Sequence, residues 1–312
     1  MRTSRSATEI PKIPLLVLLA TCFLAGACDR DGASATRPSP PPGAASRDLV
    51  YEHTVAGNQD LYVIPPGGGV ERRVTDHPAT DALPRWSRDG QWVYFTSDRS
   101  GNWQIYRVRA EGGAPERVRT NTFTEWQVEP SPDGKRIAFL SNKEGPEYLF
   151  VMDLATRAER VLARHGRSTI MGNPSWSPDG TLITFSSNWR IGHQIYVVRS
   201  DGTGERRLSA FRRGGCEPRF KPDGRAVVYV SRGHLSEQSR LVEHDLKTDD
   251  EKVLVAWPAL NYNPVYSPDG TEIAFSSNIT GEWVVYRQRL SDGQSWRVTF
   301  ASGPARSPDY RP

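Results

Sequence analysis

The stretch NPSWSPDG at residues 173–180 returns, with changes, at a nearly constant interval along the chain. It reads LPRWSRDG at 83–90, QVEPSPDG at 127–134, EPRFKPDG at 217–224, NPVYSPDG at 263–270 and, degraded, GPARSPDY at 303–310. Counted on the aspartates at 89, 133, 179, 223, 269 and 309, the spacing is 44, 46, 44, 46 and 40. A period of that size marks stacked supersecondary units, none of which can bury its apolar face alone.

Each unit opens Pro-x-aromatic-Ser, turns at Asp-Gly and continues as a short alternating run, such as Leu182-Ile183-Thr184-Phe185 or Glu272-Ile273-Ala274-Phe275. Period-two runs bounded by turn residues are strands with one apolar face. A third run ends in an aliphatic–aromatic pair, as at Ile105-Tyr106, Leu149-Phe150, Ile195-Tyr196 and Val285-Tyr286. A fourth carries a basic residue before Val or Leu, at Arg73, Arg117, Arg160, Arg207, Lys252 and Arg297. Four short strands per period make one propeller blade. Residues 49–51, 61–62 and 73–74 supply a blade that lacks its first strand, and residues 304–310 supply a first strand with nothing after it. The prediction is an all-β, six-bladed β-propeller of four-stranded blades over residues 48–312, closed by the C-terminal strand pairing into the N-terminal blade, so that no blade is half built.

Recurrence also separates structural residues from candidates for function. In SPDG the Pro presets φ, the Asp accepts backbone amides and the Gly tolerates positive φ, so the repeated aspartates read as turn formers and not as metal ligands or acids. The aromatics Trp86, Trp176, Phe220 and Tyr266 are expected between neighbouring blades. The basic residues of the fourth run read as charges on outer strands that discourage edge-to-edge association. Residues that differ between blades near the innermost strand are where a ligand could be told apart. The segments just before each first strand hold Asp81, Glu125 with Trp126, Met171 with Asn173, Cys216 with Glu217, and Asn261 to Asn263. This acidic, amide and aromatic set is either a surface for a peptide or protein, with Asp81, Glu125, Trp126, Asn173, Glu217, Asn261 and Asn263 as its residues, or ordinary solvated loop.

Upstream of the repeats, Arg2, Arg5 and Lys12 precede an apolar run at 13–24 and small residues at 25–27, the order of an export signal. LAGAC at 24–28 resembles the lipobox of bacterial lipoproteins, with Ala25 where that motif usually has Leu. It implies cleavage after residue 27 and lipidation of Cys28, an ordinary signal peptide being the alternative. Residues 28–47, with RPSPPPGAAS, read as an extended linker. The implied place is the bacterial cell envelope, facing the periplasm, with inner or outer membrane open.

The formal charge of +4 is small for 312 residues and is spread through every repeat, which points away from nucleic acid. Of three cysteines, Cys22 and Cys28 lie in the leader, so Cys216 is expected as a free, at least half-buried thiol. No HExxH, GxSxG, Cys-x-x-Cys or phosphate-loop pattern follows the leader, and the six histidines take unrelated places in the repeat. No catalytic residue, metal ligand or cofactor is assigned.

The full pattern, Pro-x-Trp-Ser-Pro-Asp-Gly, an Ile-Ala-Phe-like strand, Ser-Asn, Ile-Tyr, then Arg-Leu/Val-Thr/Ser, resembles the TolB-like propeller repeat, best at 84–118, 174–209 and 264–299. The resemblance runs from Leu49 to the end and implies a propeller without the separate α/β domain that TolB carries. It implies a non-enzymatic, lipid-anchored envelope scaffold that binds a protein or peptide, in envelope maintenance or transport. The alternative it leaves is a metal-dependent carbohydrate-active propeller, similar to oligogalacturonate lyase, or a carbohydrate-binding one.

Overall fold

The computed structural model describes residues 47–312 except 67, 190–191, 209–213 and 233–236. The signal segment 1–27, Cys28 and all but the last residue of the linker lie outside the described residues.

The described residues form six sheets of four strands, all antiparallel. Blade 4 shows the plan, running from Met171–Trp176 through Leu182–Ser187 and Gln194–Arg199 to Arg206–Arg207. Blade 1 is composite, with Ala305–Tyr310 pairing antiparallel to Leu49–Val55 ahead of Asn58–Ile64 and Arg72–Arg73. Blades 2, 3, 5 and 6 open on Asp81–Trp86, Glu125–Pro130, Cys216–Phe220 and Asn261–Tyr266 and end on Glu116–Arg117, Glu159–Ala163, Glu251–Val255 and Ser295–Arg297. The predicted six-bladed ring and its closure are therefore what the sequence builds.

The turn chemistry is as read. Ser177 Oγ donates to Asp179 Oδ1 at 2.6 Å, Thr181 N donates to the same oxygen at 3.0 Å, and Gly180 takes φ of 70°. These bonds hold the Asp179 carboxyl below its ordinary range, with Ser177 the largest cause.

There is no central core. Six apolar clusters fill the six junctions between blades. Trp86 lies with Val93, Phe95 and Tyr106 of blade 2 against Val50, Leu61 and Val63 of blade 1. Trp176, Phe220 and Tyr266 repeat that placement, and Tyr310 repeats it at the closing junction. Each blade thus buries one face on the blade before it and one on the blade after.

One register in the sequence reading is corrected. SPDY at 307–310 matches NPSW of the other units and not SPDG, because Ser307, Pro308 and Tyr310 take the places of Asn173, Pro174 and Trp176. The position before the proline carries the proof: Leu83, Gln127, Asn173, Glu217, Asn263 and Ser307 all adopt positive φ, between 51° and 56°. Counted on the following residue (84, 128, 174, 218, 264, 308) the last interval is 44, not 40. Asp309 is therefore not a turn aspartate.

Those six left-handed residues are the bulges of the innermost strands, where two residues oppose one on the partner strand, as between Ala82 and Arg85. A non-glycine residue there costs on the order of 1–2 kcal/mol, and the bulge turns its N–H out of the blade's own ladder. In five of the six, the amide is taken up by the preceding blade. Leu83 N donates to Glu52 Oε2 at 2.8 Å, Gln127 N to Thr96 Oγ1 at 3.2 Å, and Asn173 N to Gln127 Oε1 at 2.6 Å. Asn263 N donates to Glu217 Oε2 at 2.5 Å and Ser307 N to Ser276 Oγ at 3.2 Å. A belt of inter-blade hydrogen bonds encircles the channel at this level.

Candidate functional site

The innermost strands all start at one end of the ring, here called the mouth, and run toward the Asp-Gly turns at the other. The bulge decides which of their residues face the channel. Asp81 pairs with Ser97 and Trp86 with Val93, and Ser97, Phe95 and Val93 share one face of their strand. Asp81 therefore lies on the same inter-blade face as Trp86, five residues away, which plain alternation forbids.

Three of the residues expected at a binding surface are corrected on this ground. Asp81 is fully buried, with both carboxylate oxygens 2.7 Å from Arg99 Nη2. Glu125 is fully buried and paired with Arg119, whose guanidinium also reaches Glu159. Asn261 is fully buried, its amide donating to the carbonyls of Ser239 and Ala259 at 2.8 and 3.0 Å. All three are fully buried and taken up by partners inside the ring.

The remaining four, Trp126, Asn173, Glu217 and Asn263, are half-buried, Trp126 packed against the cluster between blades 3 and 4. Asn173 and Asn263 enter the inter-blade belt through their backbone amides, and Glu217 through its carboxylate. Trp126 Nε1 donates to Glu147 Oε2 at 2.7 Å. Around the mouth, Tyr262 meets Trp283 edge to face at 5.8 Å, Arg306 lies 4.0 Å over the Trp283 ring, and Arg232 is 5.2 Å from the Tyr262 ring. Cys216 is a free, half-buried thiol there, pushed up by burial.

Deeper, the residue two after the left-handed one takes five types in six blades: Arg85, Glu129, Ser175, Arg219, Val265 and Asp309. Glu129 of blade 3 accepts from Arg219 Nη1 of blade 5 at 2.6 Å and lies 3.2 Å from Arg85 Nε of blade 2. Asp309 of blade 1 accepts from Trp86 N at 2.8 Å. A charged latch thus spans the channel and leaves beside it a cavity of about 10 Å³, bounded in part by Leu83, Gln127 and Asn173, with room for about one water. Sequence reading missed the latch, although a signal was present: inside the repeated motif this position alternates between basic, acidic, polar and apolar residues.

Burial in this narrow lumen raises several carboxyls. It pushes Glu217 up to about 7, Glu147 to about 7 and Asp309 to about 6. His193 is pushed down, by burial and then by Arg232. A carboxyl whose folded pKa exceeds its ordinary value binds its proton more tightly in the folded state. Its stabilising contribution is complete below about pH 4 and lost as pH rises through about 6 to 7. The melting temperature is therefore expected to be several degrees lower at pH 8 than at pH 5.5, and Glu217→Gln, neutral throughout, to flatten that slope. His193 acts in the opposite sense below about pH 6.5, so the comparison of the two melting profiles is the decisive measurement.

The TolB beta propeller domain family matches residues 32–210 and 129–257, which together span well over half of the chain. The chain belongs to that family. A Tol-Pal system protein TolB from Nitratidesulfovibrio vulgaris is 30% identical over 119 residues, 35% of this chain and 24% of that protein. TolB from Acinetobacter baumannii superposes with a TM-score of 0.77 at 20% identity, over 87% of this chain and 68% of that one. An oligogalacturonate lyase in complex with manganese shares the propeller at a TM-score of 0.59 and 17% identity, over 81% of this chain and 74% of that one. At such identities the structures speak for the fold alone. This TolB-like propeller spans less than half the length of the curated relatives it matches, between 23% and 45%.

Proposed function

We propose that this TolB-like propeller is a non-enzymatic scaffold of the bacterial cell envelope, whose channel mouth binds a segment of a protein or peptide partner. The carrying observation is the contrast within the ring. Turns, bulges and inter-blade aromatics recur around the ring, whereas the mouth position that holds Trp126, Cys216, Tyr262 and Arg306 holds Ala82 and Gly172 in the other two blades, so no one residue type recurs through it. Exposed or half-buried aromatics beside guanidiniums are what protein-binding surfaces concentrate. The family relation to a Tol-Pal system protein supports the envelope location, and LAGAC at 24–28 supports a lipid on Cys28 that tethers the ring through the linker at 29–47.

A photo-reactive residue at position 262 is expected to cross-link a partner in intact cells, whereas the same residue at position 181, in an Asp-Gly turn at the far end, is not. In the same cells Cys28→Ala should move the protein from the membrane to the soluble fraction. Equal products from both positions, or none from 262, would place the partner elsewhere. The carbohydrate-active alternative lacks a comparable support: among the described residues no three His, Cys, Asp or Glu side chains are grouped to hold a metal ion.

A further inference from the structure

We propose that Arg306, assisted by Arg232, binds a carboxylate of the partner segment at the channel mouth, against the aromatic wall of Tyr262 and Trp283. The inference rests on the scaffold reading above and names the chemistry of its ligand.

Arg306 stands on the closing strand, opposite Glu52 in the register with Leu49–Val55. Its side chain is half-buried, yet it donates no hydrogen bond to the described residues, and its Nε is buried without a partner. A buried, unsatisfied donor on a charged group is costly, and native structures retain one mainly where something else satisfies it. Burial is the main cause lowering its pKa, opposed by Glu52 and Glu217. Neither carboxylate is spent on Arg306. Glu52 Oε2 accepts from Leu83 N at 2.8 Å and Glu217 Oε2 from Asn263 N at 2.5 Å.

The stacking explains what remains available. The guanidinium carbon lies 4.0 Å over the Trp283 ring, a separation that suits stacking through the flat face of the guanidinium. In such a contact the N–H groups of the two terminal nitrogens lie in the guanidinium plane, the geometry that takes a carboxylate through two parallel bonds. Arg232 extends the same surface. It is exposed, lies 5.2 Å from the Tyr262 ring, and Tyr262 in turn meets Trp283 at 5.8 Å. Two guanidiniums on one aromatic wall, with two carboxyls already behind them, suit a ligand of single negative charge better than a phosphate carrying two.

Such a carboxylate can come from the free C-terminus of a polypeptide or from an Asp or Glu side group. Three small probes separate these sources in tryptophan-fluorescence titrations of the purified protein: N-acetylglycine, N-acetylglutamate α-amide, and N-acetylglutamine α-amide, which carries no carboxylate. At least one of the first two should bind saturably and at least tenfold more tightly than the third. Arg306→Gln should lose that preference, with Arg306→Lys regaining only part of it because an ammonium lacks the planar fork. Equal binding of all three probes, no binding by the parent protein, or an unchanged preference in Arg306→Gln would overturn the proposal. The position-262 cross-link keeps the two readings apart. A cross-link that persists undiminished in Arg306→Gln cells removes the carboxylate and leaves the scaffold standing, whereas no cross-link in the parent removes the scaffold itself.

Discussion

Removal of residues 304–312 is expected to unfold the propeller, seen as loss of the cooperative thermal transition or its displacement by more than 20 °C. The closing strand supplies half of a blade junction. Ala305 and Tyr310 are buried against Ala274 and Val285 of blade 6 and Leu49, Tyr51 and Ile64 of blade 1. Thr54 N donates to Pro304 O and Arg311 N to Asp48 O, both at 2.9 Å, and Asp309 and Arg311 reach onto Trp86 of blade 2. Without the strand, the fully buried residues Leu49, Val50 and Tyr51 would front an open edge, a template for association. Tyr310→Ala alone, which deletes a buried aromatic, should cost about 3 kcal/mol, or on the order of 10 °C for a domain of this size. A melt unchanged by the deletion would refute closure as the source of stability.

The second large effect belongs to the latch. Glu129→Ala leaves Arg85 and Arg219, with side chains only 10% and 9% exposed, facing each other with the shared carboxylate gone. Breaking a buried ion pair from one side costs about 3–5 kcal/mol, so a fall in melting temperature on the order of 10 °C is expected. Replacing all three residues together, as Arg85→Met, Glu129→Leu and Arg219→Met, should recover most of that loss. An apolar cluster of similar volume avoids the desolvation that the charges undergo. If Glu129→Ala shifts the melt by less than 2 °C, or if the triple replacement is the worse of the two, the latch is not a stabilising element.

The two predictions differ in how far a reader of the sequence could reach. Closure was visible because residues 49–74 read as second, third and fourth strands and the tail as a first. Even so, the tail was aligned four residues out of place, since SPD at 307–309 copies the letters of the turn while occupying the position of NPS. Local identity misled there, and the left-handed φ of Ser307 corrected it. The same backbone feature explains why Asp81, Glu125 and Asn261 lie off the channel. A strand read as plain alternation puts them on the face of Arg85, Glu129 and Val265, but one bulge per innermost strand moves them into the junctions, where they need internal partners such as Arg99 and Arg119.

What the sequence determined by itself is the repeating part: strand number, the Asp-Gly turns, the aromatic between blades and the closure of the ring. Each rests on interactions within one unit or between adjacent copies, so periodicity alone reveals it. What only the tertiary structure decided is the channel. Glu129 and Arg219 are 90 positions apart, and Arg232, Tyr262, Trp283 and Arg306 come from three blades. Their meeting depends on six blades closing around one axis and on a bulge that sets which side chains turn inward, and neither is written in the spacing of any single repeat.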